Sequence, residues 1–489
     1  MKLSLLLPNG TYRSEHCAND IEVSGICENT GALRRETLFI ALRGEHFDPL
    51  ILIDKIERAG VSAILLEEGH PLPRKTSLPC FYVKCIREAT AYAFSHLYGS
   101  PEKSLCFIGV TGTNGKTTTA SLIAHALSHS GIRAAYIGTL GVTYEKKTKK
   151  EGCMTTPEPR ELYKTLAELL KEGCTHVVME VSSHALLQHR VDPISFALAI
   201  FTNLSEDHLD YHETMEKYFE AKALLFKKAK LSLINVDDEH GRRLLSSPSG
   251  KALSYGIIQK ADYTLTDLNE SGMGGAQYTC LFPQGALPLQ TTLYGSFNLY
   301  NSLSAVAAAL LVGLTPTEVK EAMACAPCVR GRFEILDLSG FSVPFRVVID
   351  YAHTPDAIAA CLRSARRITS GRIIVVFGAG GEREREKRSK MGALVERYAD
   401  FAFVSADNSR SESLGSIIED ILCGMPKKEK RRVVSNRKEA IRSALLAART
   451  GDTVLLLGKG HEDYMIDARG SHYFSEREIV YSFFEARQE

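Results

Sequence analysis

Residues 112–119 read Gly-Thr-Asn-Gly-Lys-Thr-Thr-Thr, a lysine-bearing glycine turn followed by three hydroxyls. A strand-forming run, 105–110, precedes it. Apolar residues at helical spacing follow it: Leu122, Ile123, Ala126 and Leu127. Strand, glycine turn and helix start make a phosphate cradle, with backbone N–H groups aimed at the anion and the helix dipole favouring negative charge. Gly112, Thr113, Asn114, Gly115, Lys116, Thr117 and Thr118 would form it, Lys116 reaching the terminal phosphates and Thr117 offering its hydroxyl to magnesium. The turn departs from G-x-x-x-x-G-K-[ST]: position 110 is Val110, Gly109 comes one residue early and Gly112 lies inside the loop. The flanking strand and helix still make nucleotide binding the reading.

Further polar groups stand at the ends of apolar runs. Met179-Glu180-Val181-Ser182-Ser183-His184 closes one run with a carboxylate placed to hold magnesium directly or through water, or simply to face solvent. Residues 202–212 hold Glu206, Asp207, His208, Asp210 and His212, a set suited to metal or acid–base work, with helix capping as the plainer alternative. Lys222 lies on an amphipathic helical stretch, where spacing alone reads it as a solvated or snorkelling lysine. In the last third, Asp350, the Gly378-Ala379-Gly380-Gly381 run, Asp407-Asn408-Ser409-Arg410 and Gly458-Lys459-Gly460-His461-Glu462 each follow a strand. Guanidinium forks of Arg388 and Arg410 with Asn408 and Glu462 would suit a zwitterion, the arginines taking carboxylates and Glu462 the ammonium.

The elements that carry these groups alternate strand and helix. Near-continuous apolar strands are expected at 175–180, 197–202 and 231–235, and again at 346–350, 373–377, 401–405 and 453–457. Such runs signify a parallel sheet covered on both faces, with ligands outside the strands' carboxyl ends. An earlier block has shorter strands at 37–42 and 62–66, and Tyr98-Gly99-Ser100-Pro101 reads as a linker. At 489 residues, with a formal net charge of +1, the chain is long enough for several domains and carries no basic field for nucleic acid. No apolar run is long enough to span a bilayer, and the opening Met1-Lys2-Leu3-Ser4-Leu5-Leu6-Leu7-Pro8 is too short for a signal peptide. Twelve scattered cysteines suggest reduced thiols in the cytoplasm. Cys325-Ala326-Pro327-Cys328 is a lone C-x-x-C and reads as a chance spacing rather than a metal or redox site.

These strings together resemble the Mur ligases, which add amino acids to the UDP-linked peptide precursor of bacterial peptidoglycan. The resemblance runs from about residue 20 to the C-terminus, and 112–117 matches that family's own phosphate loop. Thr155-Thr156-Pro157, the 180–190 stretch and Asp207-His208-Leu209-Asp210-Tyr211-His212 resemble the branch that makes UDP-N-acetylmuramoyl-tripeptide. The resemblance implies an α/β fold of three domains. These are a small N-terminal α/β domain for the UDP end (1–101), a central P-loop mononucleotide-binding parallel-sheet domain (102–332) and a C-terminal Rossmann-like domain for the incoming amino acid (333–489). It further implies that Asn29, Thr155, Thr156, Ser182, Gln188 and Arg190 contact the UDP-muramoyl-peptide, and that Asn298, Asn301, Arg332 and Asp350 lie on the ATP side. In the family's pattern Lys222 is carbamylated, which reverses the reading as a solvated lysine. Thr117, Glu180, His208 and the Lys222 carbamate would then hold Mg2+.

Members that add diaminopimelate carry Asp-Asn-Pro-Arg, and members that add lysine lack the arginine. This chain has Asp407, Asn408, Ser409 and Arg410, so a guanidinium stands ready for the second carboxylate that lysine does not have. Arg388, Gly458 and Glu462 match the other amino-acid contacts. The expected activity is an ATP-dependent amide ligation of meso-diaminopimelate to UDP-N-acetylmuramoyl-L-alanyl-D-glutamate through an acyl phosphate, by a cytoplasmic, monomeric enzyme. Lys116, Glu180, His208 and Lys222 would be its catalytic groups, and Arg330-Gly331-Arg332 a hinge. The same reaction with L-lysine and a folylpolyglutamate synthase are the neighbouring alternatives. A P-loop ATPase that forms no amide, or a nicotinamide dehydrogenase, would lack a carboxylate-binding third domain or need a glycine where Arg383 stands.

Overall fold

The computed structural model describes all residues except 8–10, 16–19, 45–46, 146, 150–153, 247–249, 272–274 and 488–489. By its internal contacts the chain forms two units: 1–109, 132–199 and 221–231 in the first, and 110–131, 200–220 and 232–489 in the second.

In the first unit, a five-stranded sheet runs in the order Arg13–Glu15, Cys80–Val83, Ala63–Glu67, Thr37–Ile40, Gly25–Cys27, with the first strand antiparallel and the others parallel. Successive residues of a strand point to opposite faces. Leu38, Ile40 and Leu65 therefore pack with Ile86 and Ala93 of the Ile86–Leu97 helix, while Phe39, Ile64 and Leu66 meet Ile53 and Ile56 of the Ile53–Arg58 helix. The same unit pairs Ala134–Gly138 with His176–Glu180 in parallel. The Pro159–Lys171 helix buries Leu162, Tyr163, Leu166 and Leu169, one stripe at helical spacing.

The parallel pairing expected of the central domain is extended here by antiparallel strands at one edge. Gly141–Tyr144 returns antiparallel to Ala134–Gly138, and Lys147–Lys149 adds a further antiparallel strand. Gly138 pairs with Gly141 across a two-residue loop, a link too short for any parallel crossover.

In the second unit, the last residues of strand Cys106–Thr111 lead into the glycine turn and the helix Lys116–His129. An antiparallel meander of Thr264–Ser271, Gly275–Phe282 and Gly285–Thr291 follows later, also outside the expectation. The large C-terminal sheet has the order Glu334–Ile335, Arg346–Asp350, Thr453–Leu457, Ile373–Phe377, Phe401–Val404, Arg431–Val433; all its pairings are parallel except the first.

Strand alternation again sorts this core into two layers. Val348, Val375, Phe377, Val404 and Leu455 pack with the helices Pro355–Ile368, Glu386–Tyr398 and Leu414–Cys423. Val347, Ile349, Ile374, Val376 and Leu456 pack with Arg437–Ala447 and Glu476–Glu485. Chain order and sheet order part company where Thr453–Leu457 inserts between the first two parallel strands, the arrangement that opens a ligand crevice at carboxyl ends. Among the described residues no helix is long and apolar enough to cross a membrane.

Candidate active site

Two glycines shape the loop at 112–115. Gly112 has φ +149°, and a Cβ there would lie 1.9 Å from Thr202 Oγ1; Gly115 has φ +89°, with Asn301 Oδ1 2.4 Å from its notional Cβ. The loop is fastened from outside. Asn114 N donates to Asn203 Oδ1 at 2.9 Å, and the Thr202 hydroxyl and the Asn203 amide both donate to the Asn114 carbonyl. The Lys116 ammonium folds over the turn, donating to the Gly112 and Thr113 carbonyls at 2.8 and 2.9 Å. A close-approach backbone, a helix N-terminus, an ammonium and the Thr117 hydroxyl make a donor set that fits a polyphosphate and its magnesium.

Around this loop, Thr117 Oγ1 accepts from Arg332 Nη2 at 2.9 Å, and the Arg332 guanidinium lies 4.6 Å over the Tyr351 ring with its buried Nε unpartnered. Asn301 donates to Asn298 Oδ1, and Asn298 to the Tyr294 carbonyl, so this pair braces the helix Ser296–Leu311 beside the loop. Asp350 accepts from the Phe333 and Ala352 N–H groups at 2.5 and 2.7 Å. Burial holds its carboxyl above the ordinary range, against the opposing pull of Arg332 and those N–H groups.

A second cleft, of about 150 Å³ and also wholly within the second unit, lies where four strands of the C-terminal sheet end. Tyr351 and His353 follow one strand, Gly380, Arg383 and Lys387 the next, Asp407, Asn408 and Arg410 a third, Gly458 and Glu462 the fourth. Asp207 and His208 line it from the 202–212 loop. Asp207 ties the two places together. Burial alone would raise its carboxyl, but the positive fields of His208, His353 and Lys387, and of Lys116 in the phosphate loop, outweigh it and hold the group ionised below its ordinary range. His353 goes the other way: burial lowers it beyond what Asp207 restores.

Glu462 is fixed by three neighbours. Its Oε2 accepts from Lys459 Nζ at 2.6 Å and from Asn408 Nδ2 at 3.0 Å, and Tyr351 OH lies 3.4 Å from Oε1. Lys459 is fully buried and also donates to Asn408 Oδ1 at 2.9 Å. Arg410 takes φ +52°, a left-handed conformation that is costly for a side chain of this kind, and donates to the Gly381 carbonyl.

Two of the expected amino-acid contacts, Arg388 and Ser409, are tied into the chain itself. Arg388 has no exposed surface: its fork closes on both oxygens of Glu412 at 2.8 and 2.7 Å, with Asp420 at 2.9 Å and the Gly380 carbonyl at 3.2 Å. That fork drives the Glu412 carboxyl down to about 2. The guanidinium thereby also touches the Gly380 carbonyl, on the turn that lines the cleft. Ser409 contributes its main chain, its carbonyl accepting from Glu412 N at 3.1 Å and facing Gly381 too closely for any Cβ there.

The first unit carries its own polar network. Glu180 is fully buried and accepts from Tyr136 OH and from the Thr139 N–H and hydroxyl. Thr155 Oγ1 lies 3.2 Å from Thr139 Oγ1, and Thr156 donates to the Glu180 carbonyl while accepting from Ser182 N. Ser182 also caps the helix Ser183–Leu187. Arg190 joins the set through the Thr156 carbonyl, Gln188 Oε1 and Glu158. Asn29 closes a turn by accepting from Gly31 N, and its neighbour Glu28 feels Glu158. Burial, then the Glu158 charge, push Glu28 up to about 7 against the opposing pull of Arg160. Lys222 is 2% exposed, which corrects the spacing-based reading of a solvated side chain.

Lys459, His353 and Lys387 were not singled out from the sequence as site residues. The signal for Lys459 was there: a lysine between two glycines at a strand's carboxyl end has little reason to be there except to point inward.

A phosphate loop and a carboxylate-and-cation cleft on one α/β framework define an ATP-dependent ligase that joins acids to amino acids. The Mur ligase middle-domain model matches residues 110–309, and the model for the Mur ligase, glutamate ligase domain matches 331–460. The UDP-N-acetylmuramoyl-L-alanyl-D-glutamate–2,6-diaminopimelate ligase of Aquifex aeolicus (strain VF5) is 41% identical over 461 residues, covering 94% of this chain and 93% of that one. The chain belongs to the Mur ligase family. A solved UDP-N-acetylmuramoyl-L-alanyl-D-glutamate–2,6-diaminopimelate ligase superposes with a TM-score of 0.67 at 30% identity, covering 96% of both chains. The MurF ligase of Thermotoga maritima, solved in complex with ADP, shares the fold with a TM-score of 0.63 at 20% identity, covering 94% of this chain and 97% of that one.

Proposed function

We propose that the chain joins meso-diaminopimelate to UDP-N-acetylmuramoyl-L-alanyl-D-glutamate, consuming ATP, as a monomer in the cytoplasm. Its domains are taken as 1–101 for the UDP end, 102–332 for ATP and 333–489 for the amino acid. The observation that carries the reading is the 202–212 loop, which holds the phosphate loop through Asn203 and Ser205 and sends Asp207 into the cleft, 4.0 Å from Lys387 Nζ. Activation of a carboxylate and delivery of an amine then share one neighbourhood.

The substrate carboxylate attacks the γ-phosphorus of ATP, the bond to the β-phosphate oxygen breaks, and ADP leaves an acyl phosphate. The diaminopimelate amine then attacks the acyl carbon, loses a proton and expels phosphate. Lys116 stabilises charge on the transferring phosphoryl group. Arg410 pairs the distal carboxylate of diaminopimelate, and Glu462, held by Lys459 and Asn408, takes its distal ammonium. Arg388, Asp407, Asn408, Ser409 and Gly458 complete the diaminopimelate contacts. Thr155, Thr156, Ser182, Gln188, Arg190 and Asn29 receive the nucleotide-linked peptide. Asn298, Arg332 and Asp350 brace the nucleotide side. Thr117, Glu180, His208 and Lys222 as its carbamate would hold Mg2+, which offsets crowding of negative charge when bound.

The acyl phosphate makes a specific demand on oxygen atoms. With 18O in the accepting carboxylate, each turnover must place one label in the released phosphate. Unlabelled phosphate alongside amide product would overturn the mechanism.

A further inference from the structure

The Cys325-x-x-Cys328 string plays no part in the ligase chemistry, and the structure gives Cys325 other companions. His125 and His129 stand four residues apart on the helix Lys116–His129, so their rings share one face, with centroids 5.8 Å apart. Cys325 is the C-cap residue of the helix Pro316–Ala324. Its Sγ lies 3.8 Å from His125 Nε2 and 3.6 Å from His129 Nδ1. One ligand atom from each of the three lies within 4.8 Å of the others, and all three residues belong to the second unit.

We propose that His125, His129 and Cys325 form a transition-metal site of the zinc class that clips the phosphate-loop helix to the Pro316–Ala324 helix, apart from the magnesium-nucleotide chemistry. Bonds of about 2.3 Å to sulfur and 2.0–2.1 Å to imidazole, opened tetrahedrally, put sulfur and nitrogen roughly 3.6 Å apart. The two observed separations need adjust by only a few tenths of an ångström. Two imidazoles and a thiolate form a borderline-soft donor set, suited to Zn2+, Co2+ or Ni2+, whereas Mg2+ demands oxygen. Three protein ligands leave the fourth tetrahedral position to water.

The Ala322 carbonyl shows what the metal would displace. It lies 3.0 Å from His125 Nε2 and 3.5 Å from Cys325 Sγ, the shared acceptor of their hydrogens. Binding releases the thiol proton to solvent and selects the His125 tautomer with its hydrogen on Nδ1. Histidines in a helix's last turns also complement its dipole without any metal. That explanation has no use for the thiol, so Cys325 separates the two.

The test uses the full chain, stripped with EDTA and reloaded with Zn2+ or Co2+ in magnesium-containing buffer. One zinc per chain should survive gel filtration, and cobalt should show thiolate-to-metal charge-transfer absorption. Cys325→Ser and His129→Ala should each lose both signals and the zinc-induced rise in Tm, while Cys328→Ser keeps them. A wild-type chain that retains no zinc, or a C325S chain that retains it with unchanged cobalt absorption, overturns the site. Neither result bears on ligase activity, which the measurement does not read.

Discussion

The Lys459 ammonium lies 2.6 Å from Glu462 Oε2 with none of its side chain exposed. The carboxylate assigned to the substrate's ammonium is therefore held in place by a buried cation, with Asp407 Oδ1 3.9 Å away on the same nitrogen. Removing one member of such a pair leaves uncompensated charge out of water, at about 3–5 kcal/mol. Lys459→Met should lower Tm markedly and raise the KM for diaminopimelate, and adding Glu462→Gln should recover part of the stability but none of the affinity. Thermal unfolding of the three proteins checks this; a Tm for K459M equal to wild type would contradict it.

Arg410 lines the cleft with a strained backbone, its N–H donating to the Ile466 carbonyl and its guanidinium to the Gly381 carbonyl. A charge-assisted hydrogen bond contributes about 1.5–3 kcal/mol, roughly 10- to 150-fold in affinity. Arg410→Ala should raise the diaminopimelate KM by that range while leaving the KM for ATP unchanged. Steady-state kinetics at saturating ATP would show it, and an unchanged diaminopimelate KM would remove Arg410 from specificity.

The phosphate loop has no room for a methyl group at Gly112, where Thr202 Oγ1 would stand 1.9 Å from the new Cβ. Overpacking costs about 1–3 kcal/mol, and here it falls on the loop that meets the anion. Gly112→Ala should weaken ADP binding at least tenfold by calorimetry. Gly25→Ala, where nothing lies within 4 Å, should leave it intact.

Burial, and then the Glu158 charge, push the Glu28 carboxyl up to about 7. A carboxyl raised on folding binds its proton more tightly in the folded state. Its contribution to stability therefore falls as pH climbs from about 4.5 to about 7, and is level above that. Glu28→Gln removes the penalty. The unfolding free energy of the variant minus that of wild type should grow between pH 5 and pH 8, the gain at pH 8 being about 1–3 kcal/mol. A difference constant with pH would refute the assignment.

Much of the fold is legible in the chain. Arg346–Asp350, Ile373–Phe377 and Thr453–Leu457 form strands with the bounds read from their apolar runs, because a strand buried on both faces leaves an uninterrupted signal. The antiparallel Gly285–Thr291 strand was missed, although its burial alternates residue by residue as an exposed-face strand requires. The glycine turn between strand Cys106–Thr111 and helix Lys116–His129 was legible because strand, turn and helix start are a local pattern. The ion pairs of Arg388 were not legible for the opposite reason: only the fold brings Glu412 and Asp420 around its guanidinium. Burial of Lys222 was equally hidden, since helical spacing marks a face but not what covers it.

The most direct measurement is phosphate release by the purified chain with Mg-ATP and UDP-N-acetylmuramoyl-L-alanyl-D-glutamate, comparing meso-diaminopimelate with L-lysine at matched concentrations. The account predicts phosphate and tripeptide product with diaminopimelate alone. Equal or faster turnover with lysine would contradict the role given to Arg410, and no turnover with either would contradict the proposed reaction itself.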